Sequence, residues 1–329
     1  MIYVCLYHVL LRACCDVILR YLPTKSNRKC VNLETKINLK LHEIVESRRK
    51  RIQSEGGVYG SDLLGLILEE ETKGNTKGAK LTTQHVIDEC KTFFFAGHET
   101  TAGLLAWTMV LLSLNQEWQD KARKEVLEIC GKGEDLEPNS LSRLKIVKHS
   151  PIHTFYKFSF KFFLGLRKFV CIVPKQEMTK LTLQVGMVLN ETLRLYPPVP
   201  EHGRRIMIPT EKDFKLGSRT LPPNTAFVIE CLYIHRRKDI WGDDADEFKP
   251  ERFSNGVVNA CKHPYGFIPF GIGPRICIGQ HYAMMEAKVI LALILKNFRF
   301  HISPNYKHAP LNTITLRPKH GVQVIIEPI

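Results

Sequence analysis

Apolar positions recur along this chain at two periods, and the longer one dominates. Residues 33–51 carry Leu33, Ile37, Leu41 and Val45 at steps of four and end in a cluster of Lys and Arg. That spacing predicts a helix, and cations at its C-terminus suit the helix dipole. Residues 54–60 read as a Gly-containing link, 62–71 as a short amphipathic helix, and 74–80 as a polar Gly/Lys-rich loop. Thr83 is the expected N-cap of a long apolar segment, residues 85–114, which contains no proline. At about 1.5 Å per residue it can cross a whole domain. Residues 115–129 follow as a helix charged on one face, and 134–146 as a loop with a short helix. Residues 185–195 are helical and stop at Tyr196-Pro197-Pro198, which cannot continue the helix.

The shorter period comes later. Residues 220–234 contain strand-like stretches around a Pro222-Pro223 turn, and 313–326 alternate as a terminal hairpin. Between them a last long helix spans 279–298, through Ala283, Ala287, Ile290 and Ile294. The fold class is therefore mainly α with minor β, without an internal repeat. Residues 1–19 are apolar but broken by His8, Arg12 and Asp16. They predict neither a membrane span nor a signal peptide, lacking an unbroken core, a basic head and a small-residue cleavage site.

Composition adds limits. With 44% hydrophobic and 24% charged residues, the 329-residue chain has the makings of a large core. The formal charge of +14 opens three readings. No Lys/Arg stripe is interleaved with aromatics and no zinc-finger or RNA-binding signature appears, so nucleic acid is set aside. A docking face for an acidic partner or an anionic membrane surface remains. The ten cysteines form no CxxC pair and no disulfide framework. A reducing compartment follows, with most cysteines expected as buried small hydrophobes.

Three segments carry chemistry. Phe270-Gly271-Ile272-Gly273-Pro274-Arg275-Ile276-Cys277-Ile278-Gly279 fits F-x-x-G-x-R-x-C-x-G, a match expected by chance on the order of once in ten thousand such chains. Cys277 lies just before a helix start, where free N–H groups and the dipole favour an anionic sulfur. Gly273 and Gly279 allow a tight turn. The bland alternative is a buried structural cysteine in a Gly-rich turn. Second, Ala96-Gly97-His98-Glu99-Thr100-Thr101 puts a glycine, an acid and two hydroxyls inside the long apolar segment. Gly97 weakens the helix there, and Glu99 can relay protons. A kinked core helix with a solvated Glu is its bland counterpart. No second His follows at H-E-x-x-H spacing, so this is not a zinc motif. Third, Glu191 and Arg194 share a helix face at i, i+3 and can pair, a weak signal alone. It gains weight ahead of Trp241-Gly242-Asp243-Asp244-Ala245 and Phe248-Lys249-Pro250-Glu251-Arg252-Phe253.

Together these segments resemble the cytochromes P-450, over nearly everything from Tyr21 onward. The wording of Cys90-Lys91-Thr92-Phe93-Phe94-Phe95 and of Glu286-Ala287-Lys288 resembles the plant clan that hydroxylates brassinosteroids, cytokinins and gibberellins. The resemblance implies the C-terminal two-thirds of that fold and haem b with Cys277 as its thiolate ligand. It implies that Phe270 shields the sulfur and that Gly273 and Gly279 close against the porphyrin. Arg275, Arg204 and His235 match positions that reach the haem propionates, with Arg205 competing for the role of Arg204. Ala96 and Gly97 line the oxygen pocket, with Thr100 and Glu99 catalytic. Glu191, Arg194 and Arg252 form a structural network bracing the haem loop. It further implies a lipophilic substrate, electrons from NADPH through NADPH–cytochrome P-450 reductase, and attachment to the cytosolic face of the endoplasmic reticulum membrane. Apolar pocket walls are expected at residues 93–101, 199–203 and 311–315.

The chain departs from the family pattern in two ways. The N-terminal part, with the membrane anchor, is missing; residues 1–20 fall outside the pattern, and residues 21–329 are a partial domain with apolar surface left exposed. Residues 147–184 interrupt a run the family passes through directly. Val codons begin with GT and Gln can be encoded by CAG, so this segment reads as a retained intron, its alternative being a true surface insertion. Two rival functions follow: a catalytically inactive truncated member that serves as a haem-binding or interaction fragment, and a helical interaction protein in which the motifs are only structural.

Overall fold

A computed structural model describes residues 22–55, 59–60, 62–73, 81–130, 184–205 and 214–329. The expected loop and helix at 134–146 and the segment 147–183 lie outside the described residues. The chain divides into two compact units, Met1–Ala96 and Gly97–Ile329.

The first unit holds α1 (Lys25–Glu55), α2 (Leu63–Lys73) and the start of α3 (Thr83–Leu114). Only Val45 of the predicted α1 stripe is fully buried; it packs with Leu68 and Val86, while Leu33 and Ile37 are exposed. The helix also begins eight residues earlier than its apolar period, because Thr24 supplies the start: its hydroxyl accepts from Asn27 N–H at 3.1 Å. Asp62 caps α2 in the same way, accepting from Gly65 N–H at 2.8 Å. The cap of α3 is Thr82 rather than Thr83. Thr82 Oγ1 accepts from His85 N–H at 3.3 Å, and His85 Nδ1 accepts from Thr82 N–H at 3.2 Å, a reciprocal pairing. Thr83 instead accepts from Arg49, which also pairs with Glu71.

The second unit is built on α3, α4 (Gln116–Cys130), α5 (Gln184–Leu195) and α8 (Gln280–Asn297). Their apolar faces meet in one core that includes Leu104, Leu112, Val126, Val188, Leu189, Leu193, Leu291 and Leu295. Buried Leu and Val side chains of this kind each contribute roughly 1.5–3 kcal/mol. The short helices α6 (Cys231–Ile234) and α7 (Lys238–Trp241) and several 3-10 turns lie between α5 and α8. Strands pair only in antiparallel twos: β1 (Glu201–Arg205) with β4 (Ala226–Glu230), β2 (Phe214–Leu216) with β3 (Arg219–Leu221), β5 (Phe298–Ile302) with β8 (Val324–Pro328), and β6 (Pro310–Asn312) with β7 (Leu316–Pro318).

The predicted terminal hairpin over 313–326 is not one hairpin. β7 pairs backward with β6, and the turn at Gly321, φ +74°, redirects the chain so that β8 joins β5. An alternating pattern fixes strand character but not partner. The 220–234 stretch is likewise only part strand, since residues 231–234 form α6. The cysteine expectation also changes. Among the described cysteines only Cys231 is buried; Cys90 and Cys261 are half-buried and Cys30 and Cys277 exposed.

Candidate active site

The cysteine loop precedes α8. Phe270 packs against the core of the second unit, and its carbonyl accepts from Cys277 N–H at 2.9 Å, closing the loop. Gly271 and Gly273 hold φ of +72° and +73°, which L side chains rarely adopt, so both glycines are required by the backbone. Gly279, by contrast, has an ordinary φ of −88° and stands at the N-cap of α8. A Cβ there would lie 3.9 Å from Cys277 Sγ. Residues 272–278 are exposed, Cys277 among them, and its sequence neighbours Ile276 and Ile278 leave apolar surface open on the loop. Arg275 is exposed on the same loop. Arg204, from β1, comes to the loop from another element: its guanidinium would lie 3.3 Å from a Cβ on Gly271.

His235 does not join them. It is fully buried, and both ring nitrogens are engaged by backbone. Nδ1–H donates to Arg194 O at 3.2 Å, and Nε2 accepts from Ile268 N–H at 2.9 Å. Burial holds its pKa down to about 3, so the ring is neutral and fills both roles at once. His235 thus braces the irregular segment leading to the cysteine loop and offers no nitrogen to an outside anion. The propionate role expected for His235 came from the family resemblance alone, which carries no information about burial.

Beneath the loop lies the predicted network. Glu191 and Arg194 are both fully buried. Arg194 Nε and Nη2 donate to the two Glu191 oxygens at 2.7 and 2.8 Å. Arg252 Nε lies 3.5 Å from Glu191 Oε1, which also accepts from Lys249 N–H at 2.8 Å. Arg194 spends its remaining donors on the carbonyls of His235, Ala245 and Glu247. Arg252 donates to the carbonyls of Trp241 and Asp244. The buried guanidinium of Arg194 and the half-buried one of Arg252 therefore knit α5 to the 235–252 segment. Asp244 also pairs with Arg252 and Lys249, whose hydrogen bonds pull its carboxyl down to about 2.

On α3, Ala96 and Gly97 are exposed, and a Cβ on Gly97 would meet nothing within 4 Å, so open space adjoins the helix there. Ala96 falls in the first unit and Gly97 to Thr101 in the second. Glu99 and Thr100 are half-buried. Thr315, in the turn between β6 and β7, donates to Glu99 Oε1 at 3.2 Å. Thr101 is buried, and its Oγ1 makes no fully formed hydrogen bond. It faces Glu286 of α8, whose carboxyl burial pushes up to about 7 while the Thr101 contact pulls the other way. That contact steadies the anion without the alignment of a full hydrogen bond. Sequence reading gave Glu286 and Thr315 no role. Glu286 fell in the clan wording Glu286-Ala287-Lys288 and Thr315 in an expected pocket wall, but only tertiary packing brings them to α3.

These residues fit an iron porphyrin. The sulfur is exposed and soft, apolar side chains are open on the same loop, and two guanidiniums lie on or beside it. Among the described residues no three His, Cys, Asp or Glu side chains gather to hold a metal unaided. Haem brings four nitrogen ligands of its own, so one protein thiolate suffices for it.

A sequence profile of the Cytochrome P450 family matches residues 9–150 and 172–325, and the chain belongs to that family. It is 40% identical over 315 residues to an 11-oxo-beta-amyrin 30-oxidase of Medicago truncatula, an alignment covering 94% of this chain and 51% of the relative. It is 38% identical over 311 residues to a cytokinin hydroxylase of Arabidopsis thaliana, with 94% and 51% covered. An echinocystic acid 23-monooxygenase of Saponaria officinalis is 38% identical over 312 residues, with 93% and 52% covered. The chain spans about half the length of these curated relatives. Among the described residues no helix is long and apolar enough to cross a membrane.

Proposed function

We propose that this protein is a haem-thiolate monooxygenase that hydroxylates a lipophilic small molecule. One oxygen atom of dioxygen enters the substrate and the other leaves as water, with two electrons from NADPH delivered by a flavin reductase. The observation that carries the reading is the exposed Cys277 thiol on a loop closed by the Phe270–Cys277 backbone bond. Relatives whose printed names are oxidase, hydroxylase and monooxygenase support it.

Haem, once bound, supplies the oxygen chemistry. The chain's own residues do the rest. Cys277 ligates through sulfur, and Arg204 and Arg275 pair with the propionates. Glu99 and Thr100 hold and pass protons at the carboxylate and hydroxyl. Exposed apolar side chains such as Ile314 receive the apolar substrate. The positive charge of the chain suits an acidic reductase surface and an anionic membrane. Residence on the cytosolic face of the endoplasmic reticulum belongs to the same proposal. So does the reading of residues 147–184 as an insertion, supported by the break in the family match between residues 150 and 172.

The alternative to be tested is a haem-binding chain without turnover. A carbon monoxide difference spectrum of the chain, expressed with haem supply and reduced, separates them. A strongly red-shifted Soret band that disappears in Cys277→Ala supports thiolate ligation; turnover of apolar substrates then decides between the two readings. No band in either protein sinks both.

A further inference from the structure

We infer that Thr315 is a positioning residue for Glu99, holding the carboxylate from a turn distant in sequence; the inference rests on the proton-handling role proposed for Glu99. Residues 99, 103 and 107 repeat at steps of four on α3 and so share one face. All three meet the same short segment. Thr315 Oγ1 donates to Glu99 Oε1 at 3.2 Å. A Cβ on Gly103 would lie 3.8 Å from Leu316 O and 4.0 Å from Pro198 Cβ. Trp107 Nε1–H donates to Leu316 O at 3.0 Å.

The turn is fixed on its far side as well. Leu316 N–H donates to Pro198 O at 2.9 Å, and Asn312 Nδ2 donates to Glu201 Oε1 at 2.8 Å. Thr315 itself is only 4% exposed. A side chain with so little freedom loses little entropy on forming the bond, so the hydroxyl stands ready rather than being recruited. Glu99 has a flexible side chain on a helix weakened two residues earlier by Gly97. A donor at one oxygen selects its rotamer and leaves the other oxygen directed elsewhere. That is the requirement for a carboxylate that takes a proton on one side and gives it on the other.

Two measurements test this on the full chain. The first is a double-mutant cycle of urea unfolding with Thr315→Val, Glu99→Gln and the double variant, which needs no haem. The pair should be non-additive, by about tenfold in the unfolding constant. Additive effects overturn the inference. The second reads the carbonyl stretching band of the reduced haem–carbon monoxide form. Thr315→Val should shift or broaden the band as Glu99→Gln does, and Thr315→Ser should restore it. A Thr315→Val change that persists unaltered on top of Glu99→Gln overturns the positioning role. If the chain binds no haem, the proposed function falls and the positioning role falls with it, whatever the cycle says of the hydrogen bond. Should Thr315→Val fail to fold, Thr315→Ala replaces it in both measurements.

Discussion

Two carboxyls in the second unit titrate in opposite directions, and their signs are separable. Glu286 is raised from 4.5 to about 7 by burial. Between those values the folded chain keeps a proton that the unfolded chain has released, so stability is full below about pH 4.5 and is lost as pH rises through 7. Urea midpoints should therefore fall across that window, and Glu286→Gln should flatten the slope. An unchanged slope in the variant would assign it to another group. Asp244 is pulled down from 3.8 to about 2 by hydrogen bonds to Lys249 and Arg252. Its contribution is full above about pH 3.8 and fades as pH falls through 2. Asp244→Asn should remove a small part of the acid-limb slope, small because the group is largely solvated.

At the scale of elements, the Glu191–Arg194–Arg252 frame is where one substitution does most harm. Arg194→Met leaves the Glu191 carboxylate buried with much of its pairing gone, a loss of about 3–5 kcal/mol. Chemical denaturation of Arg194→Met beside Glu191→Gln/Arg194→Met checks the cause. The double variant, with no buried charge left at either position, should recover part of the loss; equal instability in both would point to lost packing instead. This frame was legible in sequence because E-x-x-R and P-E-R-F are local words. The helix bodies were legible as well, since apolar periodicity persists over many residues, as in α3 and α8. What escaped was whatever depends on burial or on distant partners. His235 looked like a ligand and is a brace. Residues 313–326 alternate correctly yet split between two partners, because pairing is decided by the turn at Gly321. The cap of α3 moved by one residue because Thr82 and Thr83 are equally good candidates until Arg49 claims one of them.

For the molecule as a whole, α5 suggests how the segment 147–184 can be removed. Glu125 of α4 accepts from the backbone N–H groups of Gln184 and Val185 at 3.0 and 2.9 Å. Two N–H groups of the first turn of α5 are thus satisfied from a neighbouring helix. Deleting residues 147–184, which joins Ile146 to Val185, should leave the Glu125–Val185 bond in place. The deletion variant is expected to match or exceed the parent in thermal midpoint. A cooperative transition lost on deletion would mean that the segment is part of the fold.

The α3 face that meets the β6–β7 turn also constrains how this sequence can diverge. Glu99, Gly103 and Trp107 align only because four residues make just over one turn. One residue inserted between 99 and 107 would rotate Glu99 by about 100° relative to Trp107 and carry it off the turn. Most of the intervening positions, Thr101, Leu104, Leu105 and Ala106, are buried as well. Over these nine residues, then, drift in length is closed to the lineage, and gaps in an alignment of relatives should avoid them.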